Sequence, residues 1–244
     1  MEEKQNPYII PLSILASGIL VAGAIMYSGS TGKGGSLLAN IGKAPTVAED
    51  EGPAANPSTE GMQTISGEDH IIGDANAPVK IVEFSDLECP FCSRFHVTMK
   101  QVMEEYGKDG RVAWVYRHFP LEQIHQYARP AAEGAECAND MGGAEKFWTY
   151  IDGVFSRQSE GLSSALLVDV GQSIGLERGS FETCMNSAGH ASKIDKNIED
   201  AIASGGSGTP YSIIIAPDGS KTSINGALPL ASVKAAVEAA LAKD

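Results

Sequence analysis

The chain has 244 residues, enough for one or two domains, and its 43% hydrophobic content is ordinary for a globular protein. Eighteen basic against 31 acidic residues give a formal charge of −13, which argues against nucleic acid as a partner, because phosphate binding needs clustered Lys and Arg. The four cysteines fall as a close pair, Cys89 and Cys92, and a distant pair, Cys137 and Cys184. An even count is compatible with two disulfides in an oxidising compartment, with three pairings left open.

Residues 1–6 read as a short cytoplasmic start and residues 7–28 as a transmembrane anchor. The core of that segment, Tyr8 to Tyr27, carries no charge and as a helix would cross a hydrocarbon layer of roughly 30 Å. A cleaved signal peptide is the alternative, although the start holds two glutamates and one lysine where a basic stretch is usual. Lys4 on one side and Lys33 and Lys43 on the other leave orientation undecided. Residues 29–67 are Gly/Ser-rich, then Pro/Ala-rich and acidic. They read as a flexible linker with an end-to-end distance on the order of 35 Å.

The globular part is expected over residues 68–244. Val79 to Phe84 looks like a buried strand holding one acid, Glu83. Cys89-Pro90-Phe91-Cys92 follows, and a helix is expected from Cys89 to about Tyr106, with Phe91, Phe95, Val102 and Met103 able to face a core. Pro90 suits a first helical turn, which places the Cys89 sulfur at a helix N-terminus, where free N–H groups and the macrodipole favour a thiolate. This stretch reads as a thiol–disulfide exchange site. Arg111 to Arg117 is a second strand by composition, and strand, helix and strand in that order make a βαβ unit.

From about 123 to 205 the pattern is helical. Phe147, Trp148, Ile151, Val154 and Phe155 share one helical face. Leu166, Leu167, Val170 and Ile174 share another behind a Ser163 cap, ended by Gly175. Phe181 and Cys184 fall on a short helix started by Ser180, and Ile194, Ile198 and Ile202 form a stripe at four-residue spacing. Tyr211 to Ala216 returns to strand character. Pro217-Asp218-Gly219 is a turn, Lys221 to Asn225 pairs back, and Pro229 opens a last helix with Leu230, Val233, Val237 and Leu241 on one face. The expected class is α/β, βαβ then ββα, with a helical subdomain inserted between them.

With those motifs in place the sequence resembles the DsbA-like thioredoxin-fold oxidoreductases, in particular the membrane-anchored branch called thioredoxin-4 or BdbD-like. The resemblance runs from about Asp69 to the C-terminus. It rests on EFSDLECPFC, APV at Ala77 to Val79, RHFPL at Arg117 to Leu121, His125, the AAEGAECA run at Ala131 to Ala138, and GTPYSI at Gly208 to Ile213.

The resemblance implies that Cys89 is the exposed nucleophile and Cys92 the resolving thiol. It also implies a cis Thr209-Pro210 peptide facing the pair, leaving the Thr209 backbone open to a substrate peptide alongside Pro90 and Phe91. The family commonly has His between its cysteines. This chain has Phe91 there, which cannot donate to a thiolate. Glu83 matches the family's buried acid and is a candidate to move the proton of Cys92; the plainer reading is a strand glutamate facing water. Cys137 and Cys184 are expected to form a structural bridge within the insert, against two buried free thiols. His96, His118 and His125 are assigned no role, and no cofactor or metal is expected.

The function this implies is a membrane-tethered, extracytoplasmic oxidoreductase exchanging the Cys89–Cys92 disulfide with cysteines of exported proteins, foremost as an oxidase. It would be recharged by a membrane quinone-linked partner of the DsbB or vitamin K epoxide reductase type. Isomerase or reductase activity, a non-catalytic peptide-binding module, and a zinc knuckle or metal carrier are the competitors. A monomer is expected, since the stretch before Asp69 is too polar to be a dimerisation domain.

Overall fold

The structure is a computed structural model describing residues 59–243. The expected cytoplasmic start, the membrane anchor and most of the linker lie outside the described residues. Among the described residues no helix is long and apolar enough to cross a membrane.

Five strands form one sheet: β1 His70–Ile72, β2 Val79–Ser85, β3 Val112–His118, β4 Tyr211–Ile215 and β5 Lys221–Asn225, in spatial order β1-β3-β2-β4-β5. Only β2 and β3 run parallel. The strand-helix-strand reading holds here, with helix α1, Pro90–Val102, between them. Strand β2 reads as a nearly unbroken apolar run because it is central, paired on both sides and covered on both faces. Strand β1 escapes sequence detection because it has three residues, too few to show a period.

The alternation of side chains along the strands sorts the two faces. Val79, Ile81, Trp114 and Ile214 pack with Phe95 and Met99 of α1 and with Val233 and Val237 of the last helix. Val82, Phe84, Val115 and Ile213 face the other way, onto Met62 and Ala201. Four helices lie between β3 and β4: α2 Ala128–Arg157, α3 Ser164–Ser173, α4 Arg178–Ser187 and α5 Ala191–Ala203; α6, Leu230–Leu241, closes the chain. Helix α2 is kinked at Gly142 and Gly143, the latter at φ 72°, which glycine adopts without a Cβ clash. Its second half buries Phe147, Tyr150, Ile151 and Val154 in a third core shared with α3 and α4. The Ser163 cap is as expected, its hydroxyl accepting from the Leu166 N–H at 3.2 Å.

The helix expected from Cys89 to about Tyr106 holds, with α1 passing after Val102 into a wider helical turn, Met103–Gly107. Other expectations need correction. Phe91 does not face the core; it is 54% exposed. The cap of α4 is Glu177, whose carboxylate accepts from the Gly179 and Ser180 N–H groups, rather than Ser180. The isoleucine stripe on α5 fails at Ile202, 60% exposed, while Ile194 is buried. Four-residue steps drift about 40° around a helix each time, so the third isoleucine swings out and Asp200 and Ala201 turn in.

The linker reading also fails over Thr59 to Gly67. Met62 is buried, and the Gln63 N–H donates to Asp200 at 2.6 Å. Arg117, itself buried, donates to both oxygens of Asp69 (2.7 and 2.9 Å), to the Gln63 and Thr64 carbonyls (3.1 and 3.3 Å), and to Asp200. Composition could not show this, because the segment is held mainly through its backbone. Cys137 and Cys184 are bonded (S–S 1.99 Å), joining α2 to α4 across a sequence separation of 47; a loop of that size is worth about 4 kcal/mol by chain entropy.

Candidate active site

Strand β2 ends at Ser85, and Asp86 to Cys89 form the turn into α1. Cys89 is the N-cap of that helix (φ −75°, ψ 121°) with Pro90 in the first turn, so its sulfur sits at the positive end of the macrodipole. Cys92 is one turn inward and fully buried, accepting the Asp86 N–H at 3.4 Å. Both are free thiols. The Cys89 thiol donates to the Thr209 carbonyl at 3.5 Å, across a cis Thr209–Pro210 peptide. The Thr209 hydroxyl is buried and has no hydrogen-bond partner.

Cys89 was expected to be exposed; the residue is 4% exposed. The Thr209 carbonyl meets the sulfur, and the Gln158 amide, just beyond α2, donates to the Leu87 and Cys89 carbonyls at 2.9 and 3.1 Å. A depression of about 580 Å³ opens beside the residue, walled by Glu88 and Pro90, its two chain neighbours, and by His125, Phe155 and Leu162.

The two thiols are driven apart electrostatically. Cys89 falls to about 6, chiefly because the Cys92 thiol donates to its thiolate; burial opposes this, and Thr209 and the Cys92 and Phe91 N–H groups assist. Cys92 is pushed well above its ordinary value, first by burial, then by its hydrogen bond to Cys89 and by the negative charges of Cys89 and Glu83. One sulfur is therefore poised as an anion and the other holds its proton.

Glu83 is fully buried on the sheet face that α1 covers, opposite Tyr116 and Ser212. Neither carboxyl oxygen has a protein partner in hydrogen-bond geometry. Burial raises it to about 7, tempered by the nearby Ser85 hydroxyl and Trp114 indole. The water-facing reading of this residue is set aside by that burial. An acid whose pKa is raised on folding makes the folded state bind more protons, so stability falls as pH climbs from about 4.5 to 7. The full loss is roughly 3 kcal/mol. Glu83→Gln stays neutral, so the difference in urea-unfolding free energy between it and the native chain should grow across that interval; a constant difference would rule the carboxyl out as its source.

Sequence reasoning gives no role to Asp86, Glu88, Gln158 or His125. The Asp86 carboxylate accepts from the Glu88 N–H (2.7 Å), the Leu121 N–H (2.8 Å) and His125 Nδ1 (2.8 Å). Glu88 accepts the Tyr127 N–H at 2.5 Å. These two acids fasten the β3–α2 connection onto the turn that carries Cys89. An Asx turn, Asp bonding two residues on, was the available signal for Asp86. Two further histidines given no role are occupied elsewhere: His96 pairs with Asp152 at 2.6 Å, and His118 with Glu136 at 3.0 Å. Among the described residues, Cys137, Cys184 and His190 bring ligand atoms together, but those two sulfurs are bonded to each other.

The sequence model of the Thioredoxin_4 family, described as thioredoxin, matches residues 65–239. The chain belongs to that family. Among solved structures, DsbA2 of Pseudomonas aeruginosa is 30% identical, with a TM-score of 0.62 over 74% of this chain and 98% of that one. Alpha-DsbA1 of Wolbachia pipientis (TM-score 0.65, 23% identity, 75% and 95% coverage) and BdbD of Bacillus subtilis (0.62, 20%, 76% and 96%) share the fold. The protein is a DsbA-like protein of the thioredoxin fold, and a further neighbour in Wolbachia pipientis, alpha-DsbA2, is titled a thiol-disulfide exchange protein. Curated relatives include a protein named Na(+)/H(+) antiporter NhaA 1 in Salinispora arenicola, 33% identical over 142 residues. The match takes in 58% of this chain and 21% of that relative, so this chain spans about a fifth of the length of such proteins.

Proposed function

We propose that the chain is a membrane-tethered, extracytoplasmic disulfide oxidase that passes the Cys89–Cys92 disulfide to cysteines of exported proteins. The observation that carries this reading is the split between the thiols: Cys89 lowered to about 6 beside a Cys92 pushed well up. A stabilised Cys89 thiolate lowers the free energy of the reduced protein, which makes the disulfide the better oxidant. Support for the tether is the uncharged run Tyr8 to Tyr27, and the match of 142 residues of this chain to part of a longer chain named as an ion antiporter.

In the oxidising direction a substrate thiolate attacks Cys89 Sγ, the Cys89–Cys92 bond breaks, and Cys92 leaves and takes up a proton. Glu83, a buried acid raised to about 7 whose charge acts on Cys92, would supply it. A second substrate thiolate then attacks the substrate sulfur of the mixed disulfide, and Cys89 departs as a stabilised thiolate. Two electrons have moved from substrate to the cysteine pair. A quinone-linked membrane partner of the DsbB or vitamin K epoxide reductase type would accept them in turn. Thr209, Pro210, Pro90 and the exposed Phe91, with Arg94 Cζ 5.2 Å from its ring centroid, would form the surface a substrate peptide meets.

Two measurements test this. Iodoacetamide alkylation of the reduced protein should titrate near pH 6, and equilibration with glutathione should give a potential between roughly −270 mV and −120 mV, the thioredoxin and DsbA values. A Cys89 that titrates near 8.5, with a potential at or below that of thioredoxin, would leave a reductase or a peptide-binding module as the better reading.

A further inference from the structure

Oxidising a substrate needs its thiol as a thiolate, and CPFC offers no side chain that could take the proton. The Asp86–His125 pair does. Asp86 receives N–H groups from Glu88 and Leu121, so its carboxylate serves as an acceptor, and the His125 tautomer that pairs with it carries hydrogen on Nδ1. That leaves Nε2 as a lone-pair acceptor. His125 is only partly buried (side chain 16% exposed), and its ring lines the same depression as Glu88 and Pro90, the residues either side of Cys89.

We propose that His125, oriented by Asp86, is the general base that receives the proton of an incoming substrate thiol. Resting on the oxidase reading above, the step balances as follows. The substrate S–H bond breaks and its proton passes to Nε2. The substrate sulfur bonds to Cys89 Sγ, and the electron pair of the Cys89–Cys92 bond leaves on Cys92. The Asp86 carboxylate faces the imidazolium so formed through Nδ1–H, the arrangement that orients and stabilises a histidine base in hydrolases.

The titratable groups that bond the ring or share its depression are Asp86 and Glu88, both from the β2–α1 turn that also carries Cys89. The members of the depression contributed by the end of α2 and the turn after it, including Phe155, Gln158 and Leu162, are uncharged. Glu88 is itself held by the Tyr127 N–H, so it is not an equal competitor for the substrate proton.

The size of the effect is bounded. A thiol of ordinary pKa, near 8.5, is ionised in about one molecule in thirty at pH 7, so a base there can gain up to about thirtyfold. The test mixes the oxidised full chain with excess thiol at pH 7 and follows single-turnover loss of the Cys89–Cys92 disulfide. Two probes are compared: an alkyl thiol, protonated at that pH, and an aromatic thiol already ionised. His125→Asn keeps a donor where Nδ1 stood, so Asp86 stays paired, and removes Nε2. It should slow the alkyl thiol about tenfold more than the aromatic one, and this selective loss should shrink as pH rises toward the alkyl thiol's own pKa. Equal slowing of both probes, or of neither, overturns the role of His125. A native chain that exchanges with neither thiol would instead defeat the oxidase reading itself. Urea unfolding of the variant separates a folding defect from either outcome: a variant that unfolds with the native midpoint and shows no selective loss counts against the proposal, and for one that does not, His125→Gln is read by the same ratio.

Discussion

Cys89→Ser is expected to abolish thiol–disulfide exchange, lowering the rate by at least about a thousandfold, as loss of a covalent nucleophile does elsewhere. A hydroxyl cannot form the mixed disulfide, and Cys92 cannot take over: it is fully buried and its thiol is pushed well above the ordinary value. Cys92→Ala is the informative companion. Attack by the Cys89 thiolate on a substrate disulfide survives, but resolution does not, so mixed disulfides should accumulate and be visible on non-reducing gels. Cys92 is also the largest cause of the Cys89 depression, so its removal should move the alkylation midpoint of Cys89 above pH 6. Turnover by Cys89→Ser, or an unmoved midpoint in Cys92→Ala, would refute this account of the pair.

The largest stability effect is expected at Arg117. Its guanidinium is buried and is the common partner of Asp69, Asp200 and two backbone carbonyls of the entering segment. Arg117→Leu would leave two carboxylates without their cation, each keeping one backbone N–H (Ser66 on Asp69, Gln63 on Asp200), and two carbonyls without its N–H groups. Removing one member of a buried ionic cluster costs about 3–5 kcal/mol, and the value here should fall at the upper end because two anions lose their partner. Chemical unfolding measures it directly. A loss below about 1 kcal/mol would mean that water replaces the arginine and that the entering segment is not held by it.

How legible this was follows from what each feature is made of. Strands β2 and β4, helix α1 and the helical block announce themselves through apolar runs and 3.6-residue periods. The redox pair is readable because Cys-Pro-Phe-Cys after a strand places a sulfur at a helix end. What composition hides is carried by polar groups acting over long sequence separation. Asp86 meets His125 across 39 residues and Arg117 meets Asp200 across 83, and no local pattern encodes either. The Phe91 reading failed for a different reason: the helical register allows it a core position, but at the first turn the ring projects past the end of the packed layer. The expectation of an exposed Cys89 fails because Thr209, distant in sequence, meets its sulfur while Gln158 binds its backbone carbonyl.

The route by which the chain enters the sheet has a mechanical consequence. The Thr59 carbonyl accepts from Lys221, which stands opposite Ile215, itself opposite Lys80 near the start of β2. Ser85, where β2 hands over to the cysteine turn, is five residues further, about 17 Å along the strand. Met62 then lies on the sheet face that α1 does not cover. A pull on the chain at Thr59 is therefore taken up at the end of the sheet far from the cysteine turn, and the strand between them carries the load along its length rather than across the turn that holds Cys89.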